Sequence, residues 1–106
     1  MLTTVIGAYP KPNYIKITDW FNAAGGTDTE HPTKFYNNEI KEMGDKAEEL
    51  FQKATVEIIK DQDECGIDIL TDGEVRRENY IHYHCRHLEG IDFEKLTEKV
   101  ARTGNY

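Results

Sequence analysis

The stretch GIDILTDGEVRRENYIHYHCRHLEGIDF, residues 66–93, decides the fold, because a short apolar run within it ends abruptly in charged groups. The run IDIL, residues 67–70, has the length of a buried strand, and the Asp-Gly pair at residues 72–73 favours a turn. Ionisable side chains follow at once: Glu74, Arg76 and Arg77. The pattern predicts a strand whose carboxyl end opens onto a crowd of charged groups.

A long helix is predicted immediately before this strand. From Glu39 to Glu64, apolar residues recur every three or four positions, which places them on one stripe of a helix. The stripe consists of Ile40, Met43, Ala47, Leu50, Ala54 and Ile58. Asn38 is a suitable cap for the start of this helix, and Gly66 is a suitable residue to end it.

A second apolar run, LTTVIGA at residues 2–8, is rich in β-branched residues and ends in glycine. It predicts a strand buried on both faces, as in parallel sheets. Residues 9–38 keep neither the helical nor the strand period, so they predict a long loop. The aromatic residues of this loop favour packing over disorder, with Trp20 as an anchor near the binding edge. They are Tyr9, Tyr14, Trp20 and Phe21.

The order of strand, loop, helix and strand predicts a βαβ unit of the α/β class with its two strands parallel. The carboxyl ends of both strands then lie at one edge, which is where α/β barrels and doubly wound sheets bind their ligands. Residues 7–8 and 72–74 both fall at that edge. The charged residues of the opening stretch are therefore predicted to lie where such folds bind their ligands.

Composition limits the class of protein. The chain has 106 residues, which predicts one domain or part of one. Its formal net charge of -7 argues against a nucleic-acid partner. Neither a signal peptide nor an apolar run of membrane-spanning length is apparent, so no membrane partner is expected. With Cys65 and Cys85 taken as reduced thiols, a cytoplasmic location is predicted.

The two edge segments together resemble a known family. TTVIGAYP at residues 3–10 and GIDILTDGEVRRENYI at residues 66–81 are similar to the opening of the catalytic barrel of cobalamin-independent methionine synthase. The resemblance covers nearly the whole chain and is thinnest over residues 11–38 and after Glu94. It implies that residues 1–106 form a single partial domain, the first βαβ portion of a TIM (β/α)8 barrel. Because two strands alone leave open edges, either the chain is a fragment of a longer product, or oligomerisation or a partner chain is expected to complete the barrel.

The resemblance also implies a function. In this family, zinc activates the thiol of homocysteine, which accepts a methyl group from a methylfolate. By position, the substrate-binding residues are Ile6, Gly7, Ala8 and Glu74, with Glu74 gripping the substrate's ammonium group. No catalytic residue and no zinc ligand of the family falls within this chain, so zinc binding and turnover by the chain alone are not expected.

Two departures from the family leave alternatives open. Ala8 stands where the better-known enzymes have serine, and Asp72 stands where they usually have histidine, which brings an acidic group to the pocket edge. A related zinc-dependent alkyl transferase with another thiol acceptor would accommodate both changes. A binding or assembly module without catalytic activity is the third possibility.

The remaining polar residues favour structural interpretations. The cluster His82, His84, Cys85 and His87 could offer a metal two ligands, but its spacing matches no zinc motif, and packing at the barrel mouth is favoured. Arg76 and Arg77 are expected to pair with Glu78, Asp72 or Glu89. Asp68 is predicted to be structural. At the C-terminus, Phe93, Leu96 and Val100 fit helical spacing, and mixed structure is expected there.

Overall fold

The computed structural model describes residues 1–19, 32–95 and 97. The predictions for Trp20 and Phe21, and those for Leu96 and Val100 in the tail, lie outside the described residues. Within the described part, helix α1 comprises Pro32–Met43 and α2 comprises Ala47–Glu64, with a 3-10 turn at Gly44–Lys46 between them. The short helix α3 comprises His82–Cys85.

The prediction of one helix starting at Glu39 is wrong in two respects. First, α1 already begins at Pro32, a residue that suits the first turn of a helix because it has no N–H to satisfy. Asn38 therefore lies inside α1 instead of capping it, and residues 32–38 are helical where a loop was predicted. Second, Gly44 has a φ of +63°, which takes the backbone out of the right-handed helix and separates α1 from α2.

The predicted end of the helix is confirmed. After α2, the N–H of Gly66 donates to the carbonyl of Asp63 at 2.9 Å. The N–H of Ile67 donates to the carbonyl of Gln62 at 3.1 Å. These two bonds form a Schellman motif, which satisfies carbonyls that the helix itself leaves unpaired and turns the chain into the next segment.

The two apolar segments run parallel, as predicted, but they make only one β-bridge, between Thr4 and Ile69. At this bridge the N–H of Ile69 donates to the carbonyl of Thr3 at 3.0 Å. The prediction that residues 2–8 form a strand buried on both faces is wrong, because Leu2 and Ile6 are 74% and 100% exposed. In the described part of the chain, neither segment extends into a longer strand.

The reason for this exposure is the position of the core. The predicted helical stripe does face inward, with Ala54 and Ile58 buried and the rest buried or packed against the core. It packs, however, on Ile15 and Ile17 of the first loop and on Val75 after the second segment. Helix α2 thus covers the loops that follow the two segments and leaves Leu2 and Ile6 uncovered.

Two polar contacts fix the second segment. The buried amide of Gln62 donates to the carbonyl of Thr71 at 2.8 Å and accepts from its N–H at 3.0 Å, so that it pairs with the backbone as a neighbouring strand would. On the exposed side, the hydroxyl and the N–H of Thr3 both donate to Asp68. These bonds hold the pKa of the Asp68 carboxyl below its usual range, and they agree with its predicted structural role.

No helix in the described ranges has both the length and the apolar character that crossing a membrane requires.

Candidate functional site

The turn after the second segment is built by its own polar side chains. The hydroxyl of Thr71 accepts a hydrogen bond from the N–H of Gly73 at 3.2 Å. A carboxylate oxygen of Asp72 accepts from the N–H of Glu74 at 3.0 Å. Asp72 therefore caps the turn, and it lies exposed at the surface.

Glu74 adopts an unusual backbone conformation. Its φ is +53°, and no other residue than glycine has a positive φ in the described chain. Left-handed backbone is disfavoured for residues with a Cβ, and such conformations persist only where surrounding contacts enforce them, often at functional sites. Here the next residue, Val75, is completely buried in the core and anchors the turn from below.

The ends of the two segments meet directly. The N–H of Tyr9 donates to the carbonyl of Gly73 at 2.9 Å. A Cβ on Gly73 would lie 2.7 Å from Cγ2 of Ile58 and 3.1 Å from the Tyr9 ring, so the two segment ends are in close contact here. Ala8 and Glu74 are each the immediate sequence neighbour of this bonded pair. The structure thus brings together Ala8 and Glu74, two of the four residues predicted to bind substrate.

The other two predicted residues complete the first turn in different ways. Gly7 is partly buried, with a φ of +92° and open space on the side where a Cβ would stand. Ile6, in contrast, is fully exposed. The backbone of Gly7 and Ala8 is therefore placed beside the Gly73 turn, whereas the Ile6 side chain contributes nothing to a pocket formed by the described residues.

The Glu74 carboxylate forms an ion pair with the guanidinium of Arg77. The two side chains are 32% and 22% exposed, which makes the carboxylate accessible to a small ligand but only partly solvated. Arg76 instead binds Glu48 of α2 through two hydrogen bonds of 2.7 Å. The sequence prediction placed the partners of both arginines among Glu78, Asp72 and Glu89, and that prediction is wrong because each arginine reaches another carboxylate.

A buried ion pair supports this region and was missed at the sequence level. Lys11 and Asp19 are 4% and 3% exposed, and their charged atoms are 2.7 Å apart. The same Lys11 ammonium donates to the backbone carbonyl of Arg77 at 2.7 Å. Nothing in the sequence marks this pair, since its two members lie eight residues apart in an aperiodic loop.

The histidine-rich stretch packs as a structural cluster. Arg86 forms an ion pair with buried Glu78, and its guanidinium lies 4.0 Å from the centre of the Tyr36 ring of α1. Burial lowers the pKa of His82, with opposing effects from the charges of Glu78 and Arg86. Tyr83 makes edge contacts with the rings of His84 and His87 at 5.3 and 5.7 Å.

The residues in the described ranges do not fit a zinc ion. Structural and catalytic zinc sites need three or four converging nitrogen, sulfur or carboxylate ligands. Nowhere among residues 1–19 and 32–95 do three histidine, cysteine, aspartate or glutamate side chains converge in this way. What the site does offer is a half-buried carboxylate beside a backbone turn, an arrangement that can bind and orient an ammonium group.

Comparison with known proteins gives the ancestry of this arrangement. Residues 1–105 match the protein family described as the catalytic domain of cobalamin-independent synthase. The chain belongs to the cobalamin-independent methionine synthase family. The predicted resemblance is thereby confirmed, and the catalytic domain of this family is a TIM barrel.

Curated relatives of the chain are named methionine synthase. A methionine synthase from Sulfolobus acidocaldarius is 34% identical over 91 residues, which are 86% of this chain and 22% of that protein. Methionine synthases from Saccharolobus islandicus and Saccharolobus solfataricus are 30% identical over 91 residues. The chain thus spans roughly a fifth to a quarter of the length of these methionine synthases. No solved structure matches the chain significantly.

Proposed function

We propose that this chain provides part of the amino-acid site of a methionine synthase-like methyltransferase, which transfers a methyl group from a methylfolate to the thiol of homocysteine. The observation that carries the proposal is the bond between Tyr9 and Gly73, which sets the Gly7–Ala8 backbone beside Glu74. Glu74 would bind the ammonium group of the substrate, and the backbone at residues 6–8 would contact the rest of the amino acid. Both contacts position the substrate without taking part in bond making.

Activation of the thiol belongs to another part of the complete site in this proposal. A thiol with a pKa near 8.5 is largely protonated at neutral pH, and zinc supplies the thiolate when it is bound. In this proposal the share of this chain is binding and orientation, and no three potential zinc ligands converge among the described residues. We therefore expect the isolated chain to bind homocysteine weakly and to show no methyl transfer.

The proposal includes completion of a barrel. Residues 1–106 would form its opening βαβ portion as a single partial domain, and further strands would come from a longer product of which this chain is a fragment, from other copies or from a partner chain. Exposed Leu2, Ile6 and Ile69 support this, because apolar side chains beside an unpaired backbone edge favour association with another strand. Analytical ultracentrifugation tests completion by association: a compact monomer at all concentrations would contradict it.

The test of the substrate site is calorimetric titration with L-homocysteine. Glu74→Gln keeps the shape of the side chain and removes its charge, so affinity should fall roughly tenfold to a hundredfold, the range of a hydrogen bond to a charged group. Glu89→Gln is the matched control, because Glu89 is an exposed carboxylate on the same polypeptide segment. Equal affinities for the two variants would rule out the proposed role of Glu74.

A second candidate rests on Ala8. This residue has no hydroxyl to offer, so a zinc-dependent alkyl transferase with another thiol acceptor is the runner-up. Screening thiol ligands against the chain distinguishes the two, since the runner-up requires a thiol that binds more tightly than homocysteine. If no thiol amino acid binds at all, the chain is better described as a binding or assembly module.

A further inference from the structure

The buried position of Lys11 requires an explanation beyond stability. Its side chain is completely buried, and its ammonium group donates to Asp19 and to the carbonyl of Arg77, both at 2.7 Å. Burying two charges costs desolvation free energy, which their mutual attraction often only balances. Well-packed apolar residues in place of a buried ion pair often give a protein the same stability. What an ion pair adds is a fixed geometry, so the informative question is which group Lys11 holds in place.

Lys11 holds one end of the turn that carries Glu74. Residues 73–77 are fixed at three points: the carbonyl of Gly73 accepts from the N–H of Tyr9, Val75 is buried in the core, and the carbonyl of Arg77 accepts from Lys11. Glu74 lies between the first two points in its left-handed conformation. A conformation that is disfavoured for this residue type needs such restraint on both sides to persist.

The same contact reaches the carboxylate itself. The guanidinium of Arg77 pairs with the carboxylate of Glu74, and the backbone from which that guanidinium extends is the group bound by Lys11. Lys11 also follows the Gly7–Ala8 turn closely in the chain, with Tyr9 and Pro10 between them. Residues 9–11 therefore hold residues 73–77 at both ends, through Gly73 and Arg77.

We propose that Lys11 is a positioning residue, which holds the Glu74 carboxylate in register with the Gly7–Ala8 backbone by fixing Arg77. The proposal rests on the function proposed above and extends it, because it makes the loop after the first segment responsible for the geometry of the second. Asp19 neutralises the Lys11 charge so that the ammonium can be buried.

The first test needs no ligand. Amide hydrogen exchange measured by NMR on the intact chain reports the N–H of Glu74 and of Arg77, which are bonded within the turn. In Lys11→Met, exchange at both amides should be faster by about tenfold or more, because the turn opens locally. The N–H of Ile67, in the Schellman motif, should keep its rate. Unchanged rates at Glu74 and Arg77 would overturn the proposal.

Two further variants keep this test decisive. Lys16→Met removes an exposed positive charge from the same loop and should leave all three amides unchanged. If Lys11→Met fails to fold because the ion pair between Lys11 and Asp19 is broken, the double variant Lys11→Met/Asp19→Asn removes both charges of the pair. Acceleration confined to the turn in the double variant supports the proposal, and uniform acceleration across the chain contradicts it.

The second test uses ligand selectivity. L-homocysteine and 4-mercaptobutyrate differ only in the ammonium group, so the ratio of their affinities measures the contribution of a correctly placed Glu74. Lys11→Met should reduce this ratio by about tenfold, the range of a charged hydrogen bond. An equal loss for both ligands would mean a merely structural role. A wild-type chain without any preference would instead refute the proposed role of Glu74, while the exchange experiment still decides whether Lys11 fixes the turn.

Discussion

The close approach at Gly73 allows a quantitative prediction. Gly73 has a φ of +62°, and an added Cβ would lie 2.7 Å from Cγ2 of Ile58. For Gly73→Ala, the left-handed backbone costs about 1–2 kcal/mol. Displacing a packed core side chain costs a further ~1–3 kcal/mol. The free energy of unfolding should therefore fall by about 2–5 kcal/mol.

Gly44 provides the matched control. Its φ of +63° is nearly the same, but there is nothing within 4 Å of the position of a Cβ. Gly44→Ala should therefore show the backbone cost alone, about 1–2 kcal/mol. Urea denaturation of both variants, followed by circular dichroism, gives the two losses, and unchanged m-values show that they are comparable.

A double-mutant cycle identifies the source of the difference. Ile58→Leu moves the branch of the side chain from Cβ to Cγ and so removes Cγ2, the atom nearest to the added methyl group. In that background Gly73→Ala should cost less, with a coupling of about 0.5–3 kcal/mol. The description of a close contact between Gly73 and Ile58 of α2 would be wrong in either of two cases: if Gly73→Ala lowers the free energy of unfolding no more than Gly44→Ala, or if the cycle shows no coupling.

Three further outcomes follow from individual side chains. Gln62→Leu leaves the N–H and carbonyl of Thr71 without their partner, so unfolding should be easier by about 2–4 kcal/mol in urea. Burial and the hydrogen bond to Glu57 raise the pKa of Tyr14 to about 12. Because the neutral phenol is favoured in the folded chain, the contribution of Tyr14 to the free energy of unfolding should be complete below pH ~10 and be lost as the pH rises towards 12. Glu57→Gln should lower the pKa of Tyr14, so the absorbance of tyrosinate should appear at lower pH. Burial lowers the pKa of His82, so its contribution to the free energy of unfolding should be complete above pH ~6.5 and be lost on acidification. His82→Gln should remove this part of the pH dependence.

The elements that could be predicted from the sequence are those set by local periodicity. The apolar stripe of α2 and the end of this helix at Gly66 were predictable. Both depend only on neighbouring residues, namely the spacing of the apolar side chains and the positive φ that glycine adopts easily. The break at Gly44 was not, since a glycine inside a helical pattern is usually tolerated and only the packing of the two helices determines its conformation. The parallel direction of the segments followed from their order along the chain.

The exposure of the two segments could not be predicted from their composition. β-branched runs such as residues 2–8 indicate a buried strand only if something covers them, and here α2 covers the loop residues Ile15 and Ile17 instead. The closeness of Glu74 to the Gly7–Ala8 turn was predictable because both follow parallel segments, whose carboxyl ends lie at one edge. Their role in substrate binding stays a prediction. The Lys11–Asp19 pair depends on a contact between distant parts of the chain, with Arg77, which no short pattern encodes.

The junction between α2 and the second segment is held by Gln62, a neutral amide with one donor and one acceptor engaged on Thr71. Neither partner titrates between acid and alkaline conditions, and neither interaction is screened by dissolved ions as exposed charge pairs are. The attachment of the turn to its helix should therefore keep its strength across buffers of different acidity and ionic strength. The orientation of the Glu74 carboxylate depends instead on its ion pair with Arg77, which is partly exposed, so it should become less fixed as the ionic strength rises.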